Sequence, residues 1–209
     1  KIDSVQLTLD NSKIETSVAL ASMTLGEKII KAKVYYDSKF EIALKKVTIV
    51  SATAPKLYTY EIVNTYPHDI TSYTQGLEFY KGNLYESTGQ YGESKLRKID
   101  YKTGKVLDNI NLSKGYFGEG LSVLNDKIYQ LTWKEGRGLV YDVDRFEQIE
   151  TFNYGQSKEG WGLCNDGDKF YKSDGTAYIW TLNPQTLSEE GSIQAYTNKG
   201  KLTNLNELE

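Results

Sequence analysis

An all-β chain, built from a repeat of short strands behind a smaller β region, is predicted by three observations. One template recurs: Gln75-Gly76-Leu77, Glu119-Gly120-Leu121 and Trp161-Gly162-Leu163 are followed, eight residues past the glycine, by Leu84-Tyr85, Ile128-Tyr129 and Phe170-Tyr171. A fourth copy opens at Asn206-Glu207-Leu208, so the residues ahead of these pairs stand 44, 42 and 45 positions apart. The composition, with 17 tyrosines and 18 glycines in 209 residues, favours strands and tight turns. Turn residues also separate the short apolar runs. A repeat of this length is the pattern of four-stranded β-propeller blades. Equivalent positions of successive blades ring the axis, so Gln75, Glu119, Trp161 and Asn206 are expected to face one another. A carboxylate, two carboxamides and an indole at one ring position point to a binding site.

In chain order, residues 1–50 differ from the rest. Val5, Leu7 and Leu9 alternate with polar neighbours, and Ile30, Ala32 and Val34 alternate with Lys31 and Lys33. With turn signals at Asp10-Asn11-Ser12, Gly26-Glu27 and Asp37-Ser38-Lys39, this region reads as a small partial immunoglobulin-like β-sandwich in a spacer or docking role. Residues 51–56, small and polar with Pro55, read as a linker. Residues 57–209 read as the propeller domain, incomplete at its C-terminus. Leu57 to Tyr66 alternates and is a candidate strand for closing the ring. His68 is expected to be a structural loop residue. Hairpin turns are expected at Lys81-Gly82-Asn83, Asn125-Asp126-Lys127 and Asn165-Asp166-Gly167. Lys95, Arg97 and Lys98 are expected on solvated faces. Propellers close with about four to eight blades. About three are expected here, the others coming from a continuation of the chain or from another polypeptide.

A charged fraction of 25% and a net charge of −3 point neither to a nucleic-acid surface nor to disorder. Cys164 is the lone cysteine, which excludes an internal disulfide and is expected to be a buried, inert thiol. One histidine with one cysteine excludes an ordinary zinc cluster. No run approaches a membrane span. The start at Lys1, without methionine or signal sequence, reads as a mature or trimmed product.

Several motifs together resemble a known family. They are Pro67-His68-Asp69, Tyr73-Thr74-Gln75-Gly76-Leu77, Glu86-Ser87-Thr88-Gly89, Ser94-Lys95-Leu96-Arg97, Phe117-Gly118-Glu119-Gly120, Gln130-Leu131-Thr132-Trp133, Glu159-Gly160-Trp161-Gly162-Leu163, Ser173-Asp174-Gly175 and Leu205-Asn206-Glu207-Leu208-Glu209. In this order and spacing across residues 66–209 they resemble the plant-type glutaminyl cyclases, or glutaminyl-peptide cyclotransferases, which also occur in bacteria. The first 50 residues lie outside the resemblance. It implies a five-bladed propeller that converts the N-terminal glutamine of a peptide to pyroglutamate and releases ammonia, with no catalytic metal and no cofactor. By motif position it implies that Glu119 is the acid/base carboxylate and that Gln75, Trp133, Trp161 and Asn206 line the pocket. Tyr73 stands where the family often has phenylalanine. It also implies a peptide or protein partner and an exported location, periplasmic or at a bacterial cell surface.

The residues suit that chemistry. The α-amine and the side-chain amide carbon are tethered in one substrate, so orientation supplies much of the rate and no enzyme nucleophile is needed. The amine must lose a proton and the departing nitrogen must gain one, which one carboxyl group can accomplish in turn. Glu119, between Gly118 and Gly120, fits. Carboxamides at Gln75 and Asn206, or indole N–H groups at Trp133 and Trp161, can donate to the developing oxyanion, and the indoles make flat apolar walls. Trp133 stands where the other repeats carry Gly89 and Gly175, which favours a site role. Trp180 shares neither register and is expected to pack on an outer strand. Two rival readings remain: a non-catalytic peptide- or sugar-binding propeller, and a structural two-domain surface protein.

Overall fold

The computed structural model describes residues 1–209 and divides into two compact units. One comprises Lys1–Lys56 with Gln194–Leu202, the other Leu57–Ile193 with Thr203–Glu209.

The first unit contains β1 (Ser4–Leu9), β2 (Ser12–Ile14), β3 (Gly26–Tyr36) and β4 (Lys39–Ile49), in one antiparallel sheet of order β2-β1-β3-β4. Its tight hairpins turn at Asp10-Asn11 and Asp37-Ser38, where all four residues have positive φ, the twist that two-residue hairpins require. Leu9 pairs with Ile30, Leu7 with Ala32 and Val5 with Val34, so the apolar alternation lies on one face. A sandwich needs two sheets, and this unit has one. Alternation reports an apolar face but not whether a second sheet covers it, which is why the sandwich expectation gives way to a single layer.

The second unit holds three consecutive four-stranded meanders. Blade 1 is β5 (Thr74–Tyr80), β6 (Asn83–Thr88), β7 (Lys95–Asp100) and β8 (Lys105–Asn111). Blade 2 is β9 (Gly118–Leu124), β10 (Lys127–Thr132), β11 (Arg137–Asp142) and β12 (Glu147–Asn153). Blade 3 is β13 (Leu163–Asn165), β14 (Phe170–Ser173), β15 (Tyr178–Leu182) and β16 (Glu189–Gln194). The strand period sends neighbouring side chains to opposite faces, and the core divides accordingly. Ile128, Leu139 and Tyr141 of blade 2 pack with Tyr85 and Leu96 of blade 1. Tyr129, Leu131 and Val140, one residue away, pack with Leu163, Phe170 and Leu182 of blade 3. Blade 2 is thus filled on both faces, as a propeller blade must be.

Polar side chains fasten the blades. Gln130 Nε2 donates to Ser87 Oγ at 2.7 Å, and Asn165 Nδ2 donates to Ser122 Oγ at 2.8 Å. Ser173 Oγ accepts from Gly162 N and donates to the carbonyl of Asn206, both at 2.7 Å.

Two expectations fail here. Leu57 to Tyr66 forms no strand, and its large side chains are mostly exposed, Leu57 at 90%. Arg97 is buried instead of solvated. It lies opposite Glu86 in the β6–β7 register and donates to Asp69 Oδ2 at 3.1 Å and Ser72 Oγ at 2.7 Å. The fully buried Glu86 also holds His68 Nε2 at 2.8 Å and Thr74 Oγ1 at 2.6 Å. His68 therefore helps staple the segment before β5 to blade 1.

Candidate active site

The hub is built from the starts of the innermost strands. In β5, Thr74 pairs with Thr88 but Gly76 pairs with Ser87, which leaves Gln75 as an extra residue. In β9, Gly118 pairs with Thr132 and Leu121 with Gln130, which places Glu119 and Gly120 in a similar bulge. Bulges re-aim side chains and release backbone groups from the ladder. Gly120 N accordingly bonds across to the carbonyl of Trp161 at 2.7 Å.

Glycine is required beside each hub residue because the next inner strand passes there. A Cβ on Gly76 would lie 2.6 Å from Leu121 N, and one on Gly120 would lie 2.6 Å from Trp161 O. A Cβ on Gly162 would collide with Asn206 and Glu207. Gln75, Glu119, Trp161 and Asn206 therefore follow one another on adjacent inner segments.

These residues fall into two groups. Gln75 and Asn206 line a cleft of about 920 Å³ together with Glu78, Leu121, Leu163 and Glu207. Trp133 and Trp161 lie outside that cleft and are joined to each other. Trp133 Nε1 and Trp161 Nε1 donate to the same oxygen, Glu159 Oε2, at 2.8 and 2.9 Å. This corrects the expectation that the indole N–H groups are available to an oxyanion. Trp133 also contacts Phe117 edge-on at 5.5 Å between ring centroids, and Phe117 in turn meets Tyr91 at 5.5 Å and the half-exposed Tyr73 at 6.2 Å. Gly89 leaves room for the Phe117 ring and Gly175 for that of Trp161, whereas Trp133 fills its own blade's position.

Glu119 is 6% exposed. Burial, reinforced by the carboxylates of Glu159 and then Glu135, pushes it up to about 8 from an ordinary value near 4.5. Glu207 is also pushed up to about 8, by the protein mass around it and by Glu119 and Glu78, although its outer surface faces the open cleft. A carboxyl that gains and loses its proton near neutral pH, at an aromatic mouth, can act as acid and base in turn.

A profile of the glutamine cyclotransferase family matches residues 37–209. The chain belongs to this family. The match begins upstream of the residue-66 start implied by the short motifs and includes β4. A glutaminyl-peptide cyclotransferase of Arabidopsis thaliana is 40% identical over 151 residues, covering 71% of this chain and 47% of its own. The crystal structure of Myxococcus xanthus glutaminyl cyclase superposes with a TM-score of 0.64 at 30% identity, covering 71% of this chain and 62% of that one. The chain thus spans about half the length of the curated relative.

Sequence reasoning on this cyclotransferase-family chain missed Glu159 and Glu135 as parts of the mouth. A signal for Glu159 existed. Two positions before each hub residue stand Tyr73, Phe117, Glu159 and Asn204, so an acid follows two aromatics in a second ring. Trp180 packs on an outer strand as expected, against the core shared by blades 2 and 3. It sits on the third strand, donates to Asp174 Oδ2 at 2.8 Å and borders, with Trp161, Glu159 and Tyr178, a groove of about 480 Å³. Cys164 is half-buried at the cleft wall, and burial pushes its thiol up, as for an unreactive group. No helix is long and apolar enough to cross a membrane.

Proposed function

We propose that this chain carries the reacting centre of a glutaminyl-peptide cyclotransferase, with Glu119 as the proton carrier. The observation behind this reading is Glu119 itself: buried, at a bulge between two glycines, with a proton affinity near 8. A peptide α-amine has an ordinary value of about 8, so a proton moves between amine and carboxylate at little cost.

In the proposed reaction the neutral α-amine attacks the γ-amide carbon and a C–N bond forms. Glu119 receives the proton that nitrogen sheds. The tetrahedral oxyanion is met by carboxamide N–H groups of Gln75 and Asn206, the donors left when the indole N–H groups are engaged. Glu119 then returns its proton to the departing nitrogen, the old C–N bond breaks, and ammonia leaves beside a five-membered lactam. Phe117, Tyr73, Trp133 and Trp161 supply apolar surface that confines the glutamine side chain.

Ribosomal synthesis begins with methionine, so an N-terminal glutamine is created by processing, commonly when a leader is removed at export. We therefore place the activity outside the cytoplasm, in the periplasm or at the surface of a bacterium. The test is ammonia release and lactam formation from a glutamine-initiated peptide, with a glutamate-initiated peptide as control. Turnover that falls by about a thousandfold or more in Glu119→Gln, with peptide binding retained, supports the assignment. Near-normal turnover in that variant refutes it, and binding without turnover in the wild type favours a non-catalytic peptide-binding propeller.

A further inference from the structure

The shared acceptor of the two indoles connects different blades. Trp133 follows β10 of blade 2, whereas Glu159 and Trp161 precede β13 of blade 3. Two N–H donors converging on one carboxylate oxygen make charge-assisted bonds and fix both ring planes.

Glu159 is itself held from behind. Lys172 on β14 is fully buried, donates from Nζ to the carbonyl of Glu159 at 2.9 Å and also donates to Ser157 Oγ. Its charge is balanced by Glu189, whose Oε1 lies 3.7 Å away and accepts from Ser157 Oγ. The Tyr154 ring covers the ammonium at 4.0 Å, and the Tyr154 hydroxyl donates to the carbonyl of Thr132 at 2.7 Å. One residue past Glu159, Gly160 N donates to the carbonyl of Trp133 at 2.9 Å. A loop that only connected two blades would not need a buried lysine and a buried acid. These contacts hold the Ser157–Gly160 segment from both sides.

We infer that Glu159 is a positioning residue: its carboxylate clamps the Trp133 and Trp161 indoles, while Lys172 anchors its backbone. The clamp stands on its own geometry, and its effect on catalysis rests on the cyclotransferase reading above. With both N–H edges occupied, the indoles can meet a substrate only by their faces, and the Lys134 ammonium already lies over the Trp133 ring at 3.8 Å. The remaining ring surface suits aliphatic carbons.

The test has two parts. In protein carrying ¹⁵N-labelled tryptophan, the indole N–H signals of Trp133 and Trp161 should both shift in Glu159→Ala, while that of Trp180, bonded to Asp174, stays. A spectrum in which only one or neither of the pair moves overturns the clamp. In the peptide assay, Glu159→Ala should raise KM by about tenfold or more, through loss of the acceptor that both indoles share. Glu159→Gln keeps an acceptor and loses the charge, so it should restore most of the KM. A Glu159→Gln KM as high as that of Glu159→Ala overturns the positioning role. Absence of turnover in the wild type would sink the cyclotransferase reading and leave the indole signals to decide the clamp.

Discussion

Replacing Glu119 by glutamine should make the protein more stable, by an amount that grows with pH. Glu119 rises from an ordinary 4.5 to about 8 because it is buried and faces the carboxylates of Glu159 and Glu135. A raised carboxyl keeps its proton in the folded state after the unfolded chain has released it. Below pH 4.5 both states are protonated and nothing is lost. Between 4.5 and 8 the unfolded state gains, and stability falls at about 1.4 kcal/mol per pH unit. Above 8 the loss levels off. The cost is about 3 kcal/mol at pH 7 and about 5 kcal/mol at pH 9. Glutamine matches the shape without ionising, so the variant should escape this cost and gain little at pH 4.5. Urea unfolding of both proteins at pH 4.5, 7 and 9, followed by tryptophan fluorescence, measures the difference. A difference that stays flat with pH, or a glutamine variant less stable at pH 9, would refute the account of Glu119. The expected trade of stability against turnover is the mark of a strained functional group.

Other perturbations separate architecture from chemistry. Gly120→Ala should lower stability by about 1–3 kcal/mol or more, because the new methyl meets backbone of the next strand. Gly115→Ala, where a Cβ meets nothing within 4 Å, should stay within about 0.5 kcal/mol in the same urea titration. Arg97→Met leaves the fully buried Glu86 without a guanidinium 3.7 Å away and should cost about 3 kcal/mol, read as a lowered urea midpoint. Ser173→Ala removes the buried hydroxyl between Gly162 N and the carbonyl of Asn206, at about 1–3 kcal/mol. Hydrogen exchange should then quicken in residues 203–209, and unchanged protection there would deny Ser173 this role.

What could be read in the sequence was what a short period carries. The Gly-Leu template put Gln75, Glu119, Trp161 and Asn206 at equivalent positions, and the glycine ring of the structure shows why the period is so strict. The same register marks the position of Glu159 but not its role, which is set by indoles reached from two blades. Arg97 misled for a related reason: a charged residue in an alternating strand looks solvated until the acid opposite it, Glu86, is known to be buried. The first sheet erred in the other direction. Period-two alternation states that one face is apolar, and pairing or covering depends on edges and layers elsewhere.

The hub assigns different duties to adjacent residues. The glycine after each hub residue is dictated by the neighbouring backbone, since any side chain at Gly76, Gly120 or Gly162 would push the next inner segment away. The residue before that glycine carries no such load, because the bulge turns it out of the ladder. The hub position can therefore hold an acid, an amide or an indole without altering the blade. At Asn206-Glu207 the pattern changes, and a glutamate takes the glycine's place. Its carboxyl lines the cleft with Glu78 and is raised by burial and by the Glu119 and Glu78 carboxylates. Constancy of the spacer and freedom of its neighbour are how one repeated strand brings, within a single ring, an acid, two carboxamides and an indole.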